Sequence, residues 1–267
     1  MLSSGSGRQV RLVEKLNRQA KARRENGLFV VEGRKEVLEA PISRIRAVYY
    51  TEAASDTAAR LLKAGLPSDV LQQVTTEVFR KMADTQTPQG ILALVSIQRL
   101  RVSRLLDMAE KGAEPALFLI LEDLQDPGNV GTILRMAEAA GVTGVIVSRN
   151  TADIYSPKTV RATMGAIYRV PVAETDDVAG TIHELRDRGV QTCAAWLPGS
   201  VSYTEPDYRK ATAFVIGNEG NGLRQETAEA AELKIRIPMK GAVESLNAAV
   251  AATVLAYEAA RQRLLSR

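Results

Sequence analysis

The chain predicts an α/β protein in two parts, a small α/β domain followed by a larger one built on a parallel sheet. Three observations carry this. From residue 116 onward, continuous apolar runs alternate with helical stretches that end in glycine, the pattern of strands covered by helices on both faces. Over the first hundred residues the elements alternate too, but they are shorter. Between the two, AEKGAEPA at 109–116 has the Lys, Gly, Glu and Pro content of a linker. The expected organisation is therefore domain 1–108, linker 109–115 and domain 116–267.

The first element is a helical run in which Arg8, Arg11, Lys15, Arg18, Lys21, Arg23 and Arg24 stand against one acid, Glu14. Such a basic face suits a polyanion; a solvated helix without a partner is the alternative. Strands are expected at 28–31, 45–50, 70–74 and 91–97, with helices near 33–39, 52–64 and 77–82 and a connecting helix at 99–108. In the second domain the expected order begins with a strand at ALFLIL, a helix at 129–140 closed by Gly141, and a strand at 144–147. A helix after Pro157, a strand at 169–172 and a helix at 176–188 closed by Gly189 follow. Strands at 190–195, 213–216 and 233–237 and a terminal helix complete it. Sites in such sheets gather at the carboxyl ends of strands.

With 267 residues and 45% hydrophobic content, the chain has material for two cores. Net charge is +4 and the isoelectric point about 9.2. One cysteine, Cys193, rules out an internal disulfide, and with one histidine, His183, it leaves no zinc-type cluster. Cys193 is expected in a buried strand and His183 on a charged helix. No apolar core near the N-terminus marks a signal peptide, and no run reaches the roughly 18 apolar residues of a membrane span. A cytoplasmic protein is expected.

Three segments carry chemistry. DPGNVGTILRMAEAAG at 126–141 puts Asn129 and Arg135 on a helix whose stripe Val130, Leu134 and Ala137 is apolar. Asn129 is either the helix N-cap or a polar group facing a ligand. Arg135 shares a face with Gly131 and Glu138, so it is either a site residue or the partner of Glu138. GNEGNG at 217–222 runs off a strand into glycines around Glu219, which would repel a phosphate and fits a positively charged ligand such as a sulfonium. IPMKGAVESLNAAVAATVLAYE at 237–258 joins a strand to a helix, with Lys240 and Gly241 in the turn and Ser245 as the expected N-cap. Leu246, Val250 and Val254 give that helix an apolar stripe, to be buried against another element or subunit. The glycine fingerprint of a dinucleotide site is missing after ALFLIL, which disfavours a nucleotide-dependent metabolic enzyme.

Read together, in this order, the three segments resemble the motifs of the SpoU/TrmH family of RNA ribose 2′-O-methyltransferases. The runs SPKTVRATMGAIYRVPV at 156–172, GLFVVEGRKEVLEA at 27–40 and TPQGILALV at 87–95 resemble it as well. The resemblance implies a SPOUT fold: a C-terminal α/β domain threaded as a trefoil knot that binds S-adenosyl-L-methionine, preceded by an RNA-binding domain similar to kink-turn-binding ribosomal proteins. Position by position, it implies that Asn129, Arg135, Glu219, Ser245 and Asn247 are catalytic. It also implies that backbone at Gly217, Ile237 and Leu246 holds the cofactor, that no metal is needed, and that a homodimer completes the site. RNA contacts are expected from Arg8, Arg11, Lys15, Arg18, Lys21, Arg24 and Arg34. The two-domain build resembles enzymes of 23S ribosomal RNA; a transfer RNA enzyme, an antibiotic-resistance enzyme of the same family and a non-catalytic ribosome-assembly factor are the alternatives.

Overall fold

The computed structural model describes residues 7–265. They form two compact units, one of 7–98 with 153–168 and the other of 99–152 with 169–265. In chain order the first run holds α1 (Arg8–Arg18), α2 (Ala20–Asn26), β1 (Leu28–Glu32), α3 (Arg34–Glu39), β2 (Ile45–Tyr50), α4 (Ser55–Lys63), β3 (Leu71–Gln73), α5 (Thr76–Met82) and β4 (Ile91–Ser96). The remainder holds α6 (Val102–Glu110), β5 (Leu117–Leu121), α7 (Pro127–Ala139), β6 (Gly144–Ser148), α8 (Pro157–Thr163), β7 (Val172–Thr175), α9 (Val178–Asp187), β8 (Gln191–Ala195), β9 (Val201–Ser202), β10 (Thr212–Ile216), α10 (Gln225–Ala230), β11 (Leu233–Arg236) and α11 (Ala248–Leu265).

In the first unit the sheet runs β1-β4-β2-β3, with β4 antiparallel to both neighbours and β3 parallel to β2 at the edge. Alternation along the strands splits the core. Val30, Tyr49, Leu92 and Leu94 meet Val10, Val13 and Leu16 of α1 and Phe79 of α5, whereas Phe29, Val31, Val48 and Val95 meet Val37, Leu61 and Val160 on the opposite face. Val160 comes from α8, a later part of the chain, and Tyr155 sets its ring 4.9 Å from that of Phe29.

The basic run is not one helix. Gln19 is extended and separates α1 from α2. That break turns Arg23 inward, 4% exposed, where it pairs with Asp153 at 2.8 Å and donates to the carbonyls of Leu16 and Asn17. Those carbonyls lie in the last turn of α1, where a helix has no internal donors left. Arg23 therefore serves the fold, and leaves the basic face.

The second unit is a seven-stranded parallel sheet in the order β7-β6-β5-β10-β8-β11-β9. From β5 the chain steps outward through β6 to β7, then returns to build the other half, with β10 placed against β5. This reversal between β5 and β10 is a switch point, where the loops at the strands' carboxyl ends diverge and leave a crevice.

Several bounds differ from the sequence expectation. The helix expected as a connector at 99–108 runs on to Glu110, inside the expected linker, and buries Leu105 and Leu106 in the second unit's core. The strand expected at 169–172 begins only at Val172, because 166–168 close into a 3-10 turn and Pro171 has no N–H for a ladder. β9 and α10, of two and six residues, are too short to leave a period in the sequence. Cys193 is buried in β8 and His183 is exposed on α9.

Candidate active site

The first motif loop leaves β5 at Glu122, whose carboxylate is 1% exposed. A buried carboxylate needs donors, and it has four: the Arg224 Nε at 2.8 Å, the Arg224 Nη2 at 2.7 Å, the Arg224 backbone N–H at 2.9 Å and the Thr227 hydroxyl at 2.6 Å. Glu122 thus ties the root of the first motif to the exit of the second. Sequence reasoning passed it over; an acid placed directly after a five-residue apolar strand was the available signal.

At the head of α7 the N-cap is Asp126, which accepts from the Gly128 N–H at 2.9 Å ahead of a proline at the first helical position. Capping therefore does not occupy Asn129. Its Nδ2 donates to Glu219 at 3.0 Å, and its Oδ1 accepts from the Asn247 Nδ2 at 2.9 Å. Arg135, farther along α7, is exposed and has no hydrogen bond or ion pair among the described residues. The alternative partner, Glu138, is taken by Arg169. Gly131 is buried, whereas Arg135 is exposed.

The second motif leaves β10 as a closed loop. Asn218 and Gly222 exchange backbone bonds of 3.0 and 2.9 Å, and the Asn218 Nδ2 donates 2.7 Å to the Asp123 carbonyl. A Cβ on Gly217 would lie 2.3 Å from both the Gly222 carbonyl carbon and the Leu223 nitrogen, so only glycine fits. Gly217→Ala is accordingly expected to force the loop open, at about 1–3 kcal/mol of overpacking, and to weaken S-adenosylmethionine binding at least tenfold by calorimetry. Wild-type affinity in that variant would rule out the expected role of Gly217 in holding the cofactor.

Glu219 accepts from the backbone N–H groups of Gln125 at 3.0 Å and Asp126 at 3.2 Å, besides Asn129. Desolvation alone would raise its carboxyl, but the Asn129 side chain and these backbone donors outweigh it and hold the group below its ordinary range. It stays ionised at neutral pH and is a weak base.

In the third motif the expected N-cap is replaced. Asn247, two residues beyond Ser245, accepts from the Ala249 N–H at 2.9 Å and the Val250 N–H at 3.3 Å, and α11 starts at Ala248. Asparagine is at least as good a cap as serine, and the bond from Asn247 to Asn129 fixes it there. Ser245 lies on the exposed stretch before the helix, without a hydrogen bond among the described residues. Gly217 and Ile237 directly follow β10 and β11, Leu246 precedes α11, and all three are half-buried. The ionised Glu219 among these positions disfavours a phosphate and suits a positively charged ligand. Among the described residues no three His, Cys, Asp or Glu side chains gather as a metal site, and no helix is long and apolar enough to cross a membrane.

On the first unit, Arg8, Arg11, Lys15 and Arg18 are exposed at i, i+3, i+7 and i+10 along one face of α1, while Lys21 and Arg24 are exposed on α2. Arg34 is held by Asp56 at 3.0 Å and by the Ala53 carbonyl. Its charge is therefore partly spent within the fold.

Residues 116–257 match the family described as SpoU rRNA Methylase, and residues 8–93 match the MRM3-like substrate binding domain. The chain is 30% identical to the 23S rRNA (guanosine(2553)-2′-O)-methyltransferase RlmP of Bacillus subtilis (strain 168), over 96% of this chain and 97% of that protein. It is 40% identical to the 23S rRNA (guanosine-2′-O-)-methyltransferase RlmB of Bordetella pertussis, over 71% of this chain and 77% of that one. The AdoMet-bound structure of an rRNA methyltransferase from Sinorhizobium meliloti superposes with a TM-score of 0.83 at 32% identity, covering 97% of both chains. Fold, site and these likenesses define an S-adenosylmethionine-dependent RNA ribose methyltransferase with a parallel α/β core of the SPOUT type and a substrate-binding domain ahead of it. More particularly, the chain belongs to the SpoU rRNA methylase family.

Proposed function

We propose that the protein 2′-O-methylates a ribose of 23S ribosomal RNA in the cytoplasm, working as a homodimer whose catalytic domain is threaded as a trefoil knot. The observation that carries the site assignment is the chain of bonds from Glu219 through Asn129 to Asn247, which fastens three motifs far apart in sequence at the ends of neighbouring elements. The choice of ribosomal RNA is supported by relatives aligned over most of the chain that are named for it.

S-adenosylmethionine supplies the methyl group as a sulfonium. Backbone at Gly217, Ile237 and Leu246 holds the cofactor, with Glu219 beside it as a fixed anion. Asn129, Ser245 and Asn247 shape the acceptor side. A guanidinium with pKa above about 12 is hard to deprotonate, so Arg135 is assigned to orient a substrate phosphate and to stabilise the oxyanion that develops on the 2′-oxygen. Glu219, held ionised by its donors, is not the proton acceptor. Incubation of the protein with labelled S-adenosylmethionine and total RNA, followed by mapping of the alkali-resistant linkage, tests activity and target together. Label confined to transfer RNA would overturn the target, and none in any RNA would favour a non-catalytic assembly factor.

The face of Arg8, Arg11, Lys15 and Arg18 spans about 15 Å at 1.5 Å per residue, enough for several successive phosphates. Reversing Arg11, Lys15 and Arg18 to glutamate is expected to weaken RNA binding and to reduce its log–log salt slope by about 0.7–0.9 for each phosphate that the helix no longer neutralises. An unchanged slope would mean that α1 is only solvated.

A further inference from the structure

A polar groove of about 550 Å³ opens in the first unit between the start of α1 and the β2–β3 edge. No motif residue lines it, and its chief polar lining is Gln9, Arg46, Tyr49, Asp69, Gln72 and Gln73. Tyr49 is paired in register with Gln72, so the two side chains stand together on the sheet face that carries α1. A shift of register between Ile45 and Ala47 makes Arg46 the extra residue of a bulge. Ile45 packs on the opposite face and Ala47 on the α1 face, so the bulge turns Arg46 and Ala47 toward the same side, which strict alternation would forbid.

Several groups in this groove are without protein partners among the described residues. Tyr49 is 3% exposed, yet its hydroxyl has no hydrogen bond among them. The hydroxyl is not sealed from solvent, and Tyr49 lines the groove. Burial pushes this phenol above its ordinary range, which keeps it a donor at neutral pH. Gln9 and Gln72 likewise have no partner among the described residues, whereas Gln73 is taken up by Glu52 at 2.6 Å. Beside them β3 ends the sheet, leaving the outer backbone groups of that strand unpaired by any other described strand.

We propose that this groove holds an unpaired guanine of the RNA substrate and reads its edge, while the basic face of α1 holds the phosphates. The chemistry is specific in both directions. Arg46 offers a donor fork for the O6 and N7 acceptors, Asp69 offers acceptors for the N1–H and N2–H donors, and Gln9, Gln72 and Tyr49 supply donors and acceptors between them. A duplex hides the base edge that such a groove needs, whereas RNA loops and bulges display it. The inference rests on the reading of the protein as an RNA methyltransferase.

The test uses the full chain and nine-nucleotide uridine-rich RNAs differing only in the central base, with binding followed by fluorescence anisotropy. The wild type is expected to prefer central guanine by about tenfold, the discrimination of one good side chain–base pair. Tyr49→Phe and the double variant Arg46→Gln with Gln72→Ala should each lose most of that preference while keeping the salt slope, with circular dichroism confirming the fold. Equal affinity for all four central bases, a preference for another base, or a guanine preference that survives in both variants would overturn the proposal. Methyl transfer to ribosomal RNA, measured on the same samples, separates this failure from failure of the enzymatic reading: active wild type with an indifferent groove discards only the groove.

Discussion

Arg135→Ala is expected to lower methyl transfer by about a thousandfold while leaving the affinity for S-adenosylmethionine within about twofold of wild type. Arg135 stands exposed on α7 with no partner among the described residues, so truncating it removes no bond from the fold. Its neighbour Glu138 already has Arg169 and is not left unpaired. On the proposed assignment, what the variant loses is the charge facing the acceptor. Removing one preorganised donor from a developing oxyanion costs roughly 10²–10³ in turnover, and a charged donor that also positions a phosphate belongs at the upper end. Arg135→Lys should recover little, because an ammonium cannot reproduce the planar fork. Calorimetry separates binding from turnover. Full activity in Arg135→Ala would sink the assignment, and a matching loss of cofactor affinity would move Arg135 into the cofactor cradle.

Most strands of the second unit were legible because burial on both faces writes them as unbroken apolar runs; Leu117–Leu121 and Thr212–Ile216 are examples. The motif segments were legible only in combination, because glycine and asparagine after strands also serve ordinary turns and helix caps, and it was their order along the chain that carried the resemblance. What escaped depended on partners distant in sequence. Nothing local to 153–168 says that Tyr155 and Val160 belong to the core of the first unit, since Phe29 lies more than a hundred residues earlier. Arg23 looks like its basic neighbours until Asp153 and the broken end of α1 are present. Ser245 and Asn247 are both acceptable caps by local chemistry; the choice was made by Asn129, through a bond that spans 118 positions. Glu122 stayed hidden for the same reason, because its donors Arg224 and Thr227 arrive from the far side of the switch point.

If the enzyme works as the proposed homodimer, Val250→Glu is expected to leave it monomeric and to abolish activity in the same concentration range. α11 packs against α7 and β10 through Ala248, Ala252, Leu255, Ala256 and Ala259. Its outer side is also apolar: Val250 and Tyr257 are each 48% exposed and Leu264 is 67% exposed, with Val254 half-buried between them. Positions 250, 254, 257 and 264 follow the spacing of one helix face, interrupted only by Arg261, which is ion-paired to Glu258 at 2.8 Å, so this is a stripe and not a scatter of single residues. A homodimer related by two-fold symmetry would cover that stripe with its own copy. A carboxylate buried there without a partner costs about 3–5 kcal/mol, which weakens association by more than about a hundredfold. Because Val250 is half exposed in the single chain, the variant should keep its far-ultraviolet circular dichroism, unlike a substitution at Leu255 in the core. The head of the same helix carries Asn247, bonded to Asn129, so separation of the subunits should loosen the site as well as remove any residues that the partner contributes. Sedimentation velocity with a parallel methylation assay decides the matter: a wild type that is an active monomer at nanomolar concentration, or a Val250→Glu protein that is monomeric and fully active, would refute the obligate dimer.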